Sequence, residues 1–238
     1  MVAYRAKAIL YWLGLRLAWM LLLLAGIAIL AVLVYRWINP PTTFLMTSEW
    51  IRLGQIEREW IALSQMPDHL PLSAAAAEDA NFCRHWGFDL AGIRAALADT
   101  SQLRGGSTIS QQVAKNVFLW PDRTWTRKGL EAGFTVLIET LWPKDRIMEV
   151  YLNVAEFDEG VFGVQAAART YWSVEATDLG AARAARLMAV LPNPKARSPA
   201  DGDGWIANRG ARIRDGAATL RADGRASCFS VPAQTGAG

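Results

Sequence analysis

Histidine and cysteine are both rare in this sequence, with two of each among 238 residues. The cysteines, Cys83 and Cys228, lie far apart and have none of the spacings that metal-binding cysteines show. A cysteine-based metal site is therefore not indicated. The spacing favours two separate thiols, and a disulfide in an oxidising compartment is the alternative.

Charge is also limited, since acidic and basic residues make up 20% of the chain and the formal net charge is +3. No basic run is long enough to form a nucleic-acid-binding patch, so we expect no nucleic-acid partner. A hydrophobic content of 52% argues against disorder. Strand-like alternation is nearly absent, and no internal repeat occurs. Composition and length therefore predict one mainly helical domain with a membrane anchor.

One long segment, Leu17–Tyr35, has no charged side chain. Its length approaches the roughly 20 residues that cross a bilayer core. Arg5, Lys7 and Arg16 precede the segment and Arg36 follows it, a charge bias that favours a cytoplasmic N-terminus. A cleaved signal peptide is the alternative, but the apolar run is longer than usual and no small-residue cleavage site follows it.

A retained signal anchor divides the chain into four parts. We expect a short cytoplasmic segment over residues 1–16, a transmembrane anchor over 17–37, an extracytoplasmic domain over 38–225 and a flexible tail over 226–238.

Helical periodicity is clearest in two segments of the domain. One predicted helix face contains Ile147, Val150, Tyr151 and Val154. The other contains Ile206, Gly210, Ile213, Ala217 and Leu220. Prolines at 143 and 192 are expected to follow the ends of two further helices.

The segment Ala77–Asp89, AEDANFCRHWGFD, concentrates residues that carry chemistry. If it is helical, Glu78, Phe82 and His85 share one face. Burial beside an aromatic ring and an imidazole can raise the pKa of a carboxyl group, which suits a general acid or base. The alternative is a helix end with solvated charges and Phe82 in the core.

Two further polar segments follow. In RGGSTISQQVAKNVF, residues 104–118, uncharged hydrogen-bonding groups suit sugar hydroxyls and Lys115 suits a phosphate. No Gly-Lys-Ser/Thr follows the glycines, which excludes a Walker loop, and the alternative is a capped polar helix after a flexible loop. In DRTWTRKGLEA, residues 122–132, basic side chains could bind an anion beside Glu131. The alternative there is an intrahelical Arg127–Glu131 pair worth roughly 0.2–0.5 kcal/mol.

Taken together and in order, five segments resemble the motifs of the peptidoglycan glycosyltransferases, the family that includes the glycosyltransferase modules of penicillin-binding proteins. They read EDANFCRHWG, GGSTISQQVAKN, RKGLE, KDRIMEVYLN and RLMAVLPNP, and the resemblance runs from about Pro67 to Pro199. The segment NVAEFDEGVFGVQAAARTYW is similar to the monofunctional biosynthetic transglycosylases of Gram-negative bacteria. Neither Ser-x-x-Lys nor Lys-Thr-Gly occurs, so no transpeptidase is indicated.

The resemblance implies a lysozyme-like, bilobed, all-α domain that polymerises lipid II, with the growing glycan as donor. Glu78 would be the general base toward the acceptor hydroxyl, and Glu131 would assist the departing undecaprenyl pyrophosphate. No cofactor is required, although a divalent cation (Mg²⁺ or Mn²⁺) near Glu131 would be compatible. Asp79 and His85 would hold Glu78 and its loop, and Phe82 would pack. The full set of implied substrate-binding residues is Asp79, Phe82, His85, Ser107, Thr108, Gln111, Gln112, Lys115, Asn116, Arg123, Arg127 and Lys128.

Departures from the family pattern are few. Ser110 stands where Thr is usual, and Cys83 occupies a variable position. Asp158 and Gln165 stand where the monofunctional branch often has Gly and Glu.

The implied protein crosses the bacterial inner membrane once and acts in the periplasm. Its partners would be lipid II, the growing glycan strand, inner-membrane lipid and, by analogy, other cell-wall or division proteins. Two alternatives stay open. The cationic RKGLE segment argues against a lytic transglycosylase or lysozyme-like hydrolase, and the presence of both Glu78 and Glu131 argues against an inactive cell-wall scaffold.

Overall fold

A computed structural model describes residues 2–90, 92, 94, 106–122, 124–201 and 204–229, with side chains from residue 11 onward. The chain divides into two compact units, Met1–Asn39 and Pro40–Gly238.

The first unit contains one helix, α1 (Val2–Tyr35). Its part from Tyr11 to Tyr35 is 25 residues long and apolar enough to cross a membrane. The helix begins well before the predicted anchor of residues 17–37 and ends shortly before its predicted C-terminal boundary. The prolines that follow at 40 and 41 cannot continue a helix.

Helices make up most of the second unit. They are α2 (Phe44–Leu53), α3 (His69–Glu78), α4 (Ile109–Phe118), α5 (Trp125–Leu141), α6 (Lys144–Val154), α7 (Val164–Trp172), α8 (Ala181–Val190) and α9 (Gly204–Ala222). Short 3₁₀ turns cover Leu63–Gln65, Ala176–Asp178 and Pro194–Ala196. The expected mainly helical, lysozyme-like fold class is confirmed.

A small three-stranded sheet accompanies the helices. It consists of β1 (Glu57–Arg58), β2 (Glu156–Asp158) and β3 (Val161–Phe162). β3 lies in the middle, parallel to β1 and antiparallel to β2. Strands of two or three residues are too short to produce a readable alternation, so sequence patterning does not predict them.

Threonine side chains begin several of these helices. Thr43 accepts a hydrogen bond from the Met46 N–H at 3.1 Å at the start of α2. Thr108 forms a capping box with Gln111 at the start of α4, and Thr124 caps α5. Each cap satisfies an N–H group that has no partner inside its helix.

The predicted apolar faces form much of the core. All four predicted residues of α6 and all five of α9 are buried, so both helix predictions are confirmed. α9 packs against α8 and α3, while α4 packs against α5 and α6. These contacts set the C-terminal end of α3 beside the N-terminal end of α4, where the candidate site lies.

The two cysteines form a disulfide, Cys83–Cys228, with a Cα–Cα distance of 5.6 Å across a sequence separation of 145 residues. The expectation of separate thiols is therefore wrong, because folding brings together residues that sequence spacing keeps apart. The predicted flexible tail over 226–238 is also wrong for its first residues. Ala226 and Phe229 are buried, and the Phe229 ring lies 5.9 Å from that of Phe82. Residues 230–238 lie outside the described residues.

Candidate active site

The first candidate residue, Glu78, is the last residue of α3. Asp79 leaves helical geometry with φ −158° and ψ 72°, and the chain continues in turns as far as Gly87. The prediction of one helix face shared by Glu78, Phe82 and His85 is therefore wrong. We call residues 79–87 the catalytic loop.

Asp79 ties the catalytic loop to α4. His85 donates from Nε2 to Asp79 Oδ1 at 2.8 Å, and the Ile109 N–H donates to Asp79 Oδ2 at 3.0 Å. Both side chains are almost completely buried. His85 thus pairs with Asp79, which suits the predicted role of these two residues in holding the loop rather than touching substrate.

Phe82 packs in the core with 1% of its surface exposed. It does not line the cavity described below, which corrects its inclusion among the substrate-binding residues and agrees with its implied packing role. Thr108 is also buried, because its hydroxyl donates to the Gly87 carbonyl at 2.7 Å and accepts from the Gln111 N–H at 3.2 Å. Thr108 therefore supports the backbone and does not line the cavity described below.

A buried ionic contact that sequence reasoning missed supports the catalytic loop. Lys144, the first residue of α6, donates to the His85 carbonyl at 2.9 Å and to Glu139 Oε1 at 2.8 Å. Its ammonium group also lies 4.3 Å from the centre of the Phe82 ring. Ser110 donates to the same Glu139 oxygen, and its hydroxyl thus joins α4 to α5. The sequence feature that could have indicated this contact is Glu139, a charged residue within an otherwise mainly apolar helix segment.

Glu78 lies largely buried beside α4. Gln112 donates from Nε2 to Glu78 Oε2 at 2.9 Å. Burial raises the pKa of Glu78 above its usual range, against the opposing effects of the Gln112 hydrogen bond and the positive charge of Arg209. A carboxylate in such surroundings accepts a proton more readily than an exposed glutamate.

Glu131 has a different environment on α5. Its side chain is buried, Arg127 donates from Nη1 to its Oε2 at 2.6 Å, and Lys128 pairs with its Oε1. Arg127 and Glu131 are both buried, so they form a buried ion pair. They are not the solvent-exposed intrahelical pair that the sequence left open as the alternative. Glu131 therefore pairs with two cations at once.

A cavity of about 470 Å³ lies along α4 and the start of α5. Most of the predicted polar residues line it, namely Ser107, Gln111, Gln112, Lys115, Asn116, Arg127, Lys128 and Glu131. Lining residues that were not predicted are Leu45, Leu119, Trp120, Pro121 and Asp122. Glu78 is not itself a lining residue, but Gln112 both lines the cavity and bonds to Glu78.

Lys115 points into this cavity. Its side chain is exposed to solvent but is surrounded by protein atoms on several sides. The resulting partial desolvation lowers the pKa of Lys115, and the negative charge of Glu131 opposes this shift. The charges of Glu78 and Glu131 both act on Lys115. Arg123, the remaining predicted cation, lies outside the described residues. The described part of the chain contains no group of three or more His, Cys, Asp or Glu side chains that could hold a metal ion.

Comparison with known proteins defines the class of protein that has this fold and site. The sequence model of the transglycosylase family matches residues 46–217, and the chain belongs to that family.

Individual relatives are similar in sequence to this chain over most of their length. The chain is 52% identical to the biosynthetic peptidoglycan transglycosylase of Jannaschia sp. (strain CCS1), over 87% of this chain and 86% of the relative. It is 49% identical to the protein of that name from Rhodospirillum centenum, with 88% and 94% covered. The corresponding protein of Caulobacter vibrioides is 45% identical, with 91% and 96% covered.

Proposed function

We propose that this transglycosylase polymerises lipid II into β-1,4-linked glycan strands, with inversion at the donor sugar and release of undecaprenyl pyrophosphate, and without transpeptidase activity. The names of the relatives support a peptidoglycan substrate. One observation carries the proposal. The two glutamates have different hydrogen-bond partners: Glu78 accepts a hydrogen bond from a neutral amide, and Glu131 accepts hydrogen bonds from two cations. The negative charges of both glutamates act on Lys115. That contrast suits a proton acceptor and a site for a departing pyrophosphate.

Glu78 is the candidate general base. In the proposed step it accepts the proton of the acceptor sugar's hydroxyl as that oxygen attacks the anomeric carbon of the donor. The bond between that carbon and the pyrophosphate oxygen breaks, and its electron pair leaves with the pyrophosphate. A single displacement from the opposite face inverts the configuration and needs no covalent enzyme intermediate. The raised pKa of Glu78 is suited to this proton transfer.

The leaving pyrophosphate gains negative charge as its bond to the sugar breaks. Lys115, Arg127 and Lys128 line one cavity and would stabilise that charge. Glu131 would orient Arg127 and Lys128 and could relay a proton.

A divalent cation would usually bind through one or two carboxylates together with substrate phosphates. Both Glu131 oxygens already accept from basic side chains, whose positive charge disfavours a further cation beside them. We propose that the basic side chains neutralise the pyrophosphate without an obligatory metal.

Uncharged side chains on or just before α4 would bind the sugars. Ser107, Gln111, Gln112 and Asn116 line the cavity and present donors and acceptors that match hydroxyl and acetamido groups.

We propose that α1 anchors the protein in the bacterial inner membrane and that the domain over residues 38–225 works in the periplasm. The length and apolarity of the helix over Tyr11–Tyr35 support the anchor. The Cys83–Cys228 disulfide supports an oxidising compartment. A tethered domain lets the polyprenyl tail stay in lipid while its head group reacts. Other cell-wall or division proteins are proposed partners by analogy only.

The test is glycan synthesis from labelled lipid II by the full-length, detergent-solubilised protein. Wild type should form polymer, while Glu78→Gln and Glu131→Gln should lose activity by about 100-fold or more, since each removes a group that acts at the reacting atoms. Glu59→Gln is a matched control, because Glu59 is exposed and pairs only with Arg169 in the described residues. The control should stay active.

The alternatives predict other outcomes in the same assay. A folded wild type that cleaves preformed glycan without making polymer would be a lytic enzyme, for which a cationic pyrophosphate site has no use. A folded wild type inert toward both substrates would be a scaffold. Equal polymer from wild type and Glu78→Gln would refute the assigned role of Glu78.

A further inference from the structure

A second cavity, of about 300 Å³, lies where the segment after the Pro194–Ala196 turn meets the start of α9. It is lined by Ala196, Arg197, Asp201, Trp205 and Ile206. None of these residues lines the first cavity.

Two guanidinium groups lie over one indole ring at this cavity. The Arg197 guanidinium is 3.9 Å from the centre of the Trp205 ring, and the Arg209 guanidinium is 5.5 Å from it. Contact with the electron-rich ring face stabilises each cation and limits its movement. The arrangement is therefore a preformed pair of forked donors, and not two freely moving surface chains.

Positive charge in this cluster is only partly balanced by the carboxylates that the structure describes. Among the described residues, Arg197, Arg209 and the neighbouring Arg212 form no salt bridge, although Asp201 lines the same cavity. Arg209 Nε and Arg197 Nη1 are buried without a hydrogen-bond partner in the described part of the chain. The charges of Arg197 and Arg212 both act against that of Arg209. Holding like charges close together is unfavourable unless an anion joins them.

The cluster lies close to the candidate base. α9 packs against α3, the helix that ends at Glu78. Glu78 is the carboxylate whose charge acts on Arg209, and the charge of Arg209 acts in return on Glu78. A substrate whose reacting sugar lies at Glu78 could therefore place a neighbouring anionic group at Arg197 and Arg209.

We propose that Arg197, Trp205 and Arg209 form a second anion-binding subsite, which takes a carboxylate or phosphate group of the sugar substrate beside Glu78. This rests on the proposed function for the identity of the substrate. A carboxylate would come from the peptide stem of the glycan, and a phosphate from the lipid-linked end. Paired guanidinium donors suit the planar or tetrahedral oxygen sets of both groups.

The kinetic test compares Arg197→Gln, Arg209→Gln and Arg197→Lys with wild type in lipid II polymerisation. Arg214→Gln is the matched control, because Arg214 is exposed on the same helix as Arg209 and lies 3.6 Å from the Asp215 carboxylate. Losing a charge-assisted hydrogen bond to the substrate should raise KM about tenfold in each Gln variant, with a smaller rise in Arg197→Lys. The pH profile should move less in Arg197→Gln than in Arg209→Gln, since Arg209 is the cation whose charge acts most strongly on Glu78. Circular dichroism checks that each variant is folded.

Direct binding identifies the source of the anion. Calorimetry would measure N-acetylmuramoyl pentapeptide, which carries carboxylates and no phosphate, and inorganic pyrophosphate. Weaker binding of the first probe by folded Arg197→Gln indicates a stem carboxylate, and weaker binding of the second indicates a phosphate.

Two results would overturn the subsite: a KM for Arg197→Gln within about twofold of the Arg214→Gln value, or unchanged binding of both probes. If wild type makes no polymer, the proposed function fails, and the difference in probe binding still tests the subsite independently.

Discussion

Removal of the Cys83–Cys228 disulfide should lower the stability of the catalytic domain substantially. The bond closes a loop with a sequence separation of 145 residues. The chain-entropy relation for a loop of that length gives about 5 kcal/mol at 25 °C, and natural disulfides contribute roughly 2–5 kcal/mol when measured. Replacing both cysteines by serine should therefore lower the free energy of unfolding by about 2–5 kcal/mol.

The effect should also reach activity, because Cys83 lies within the catalytic loop between Asp79 and His85. The bond holds the C-terminal segment against that loop, where Phe229 packs on Phe82. We expect Cys83→Ser/Cys228→Ser to make less glycan than wild type even at a temperature where circular dichroism shows it folded.

Urea titration of the full-length protein in detergent, followed by circular dichroism, measures the change. Reductant should destabilise wild type and leave the double variant unaffected, which separates the disulfide from other effects of the reagent. A loss below about 1 kcal/mol in the double variant would refute the loop-closure reasoning.

Four further predictions concern the charged groups of the site. Burial raises the pKa of Glu78, and a general base must be ionised, so kcat should fall as the pH drops through a pKa above that of an ordinary glutamate. The positive charge of Arg209 lowers the pKa of Glu78, so Arg209→Gln should move this fall to higher pH. A pH–rate profile tests both predictions. The raised pKa of Glu78 also affects folding: its contribution to stability is present below the unfolded-state pKa and is lost as the pH rises through the folded-state pKa. Glu78→Gln should therefore increase the free energy of unfolding at neutral pH. A decrease measured by urea titration would contradict this. Lys144→Met leaves the buried Glu139 carboxylate without its cation and should cost about 3–5 kcal/mol, whereas adding Glu139→Gln should recover part of the loss in the same titration. Chelation with EDTA should leave most lipid II polymerisation intact, and abolished synthesis restored by Mg²⁺ would show that the basic side chains are insufficient.

Local patterns predicted the helices well because a helix face is defined by neighbouring turns. Ile147, Val150 and Tyr151 repeat at helical spacing, and each is buried in α6. The capped start of α4 could likewise be anticipated, because Thr108 and Gln111 satisfy backbone donors within a single turn. Cavity-lining residues such as Gln112 and Lys115 could also be predicted from the local sequence, because they follow the Thr108 cap on the same short helix.

The end of α3 could not be predicted in the same way. Nothing in AEDANFCRHWGFD prevents the helix from continuing past Glu78. The chain departs because Asp79 accepts from the Ile109 N–H and from His85, and Ile109 belongs to a helix thirty residues later. Tertiary hydrogen bonds therefore decide the shape of the catalytic loop against the helical tendency of its sequence.

What the sequence determines by itself is the strongly periodic helices such as α6 and α9, the apolar segment before them and the family motifs, because periodicity, caps and residue order are properties of the linear chain. Only the tertiary structure decides that Cys83 bonds to Cys228, that Lys144 supports the His85 carbonyl, and that Arg197 and Arg209 gather on Trp205. The physical reason is the same in each case. These contacts join groups that are distant along the chain, and their energies depend on separations of a few ångströms that exist only after the helices have packed.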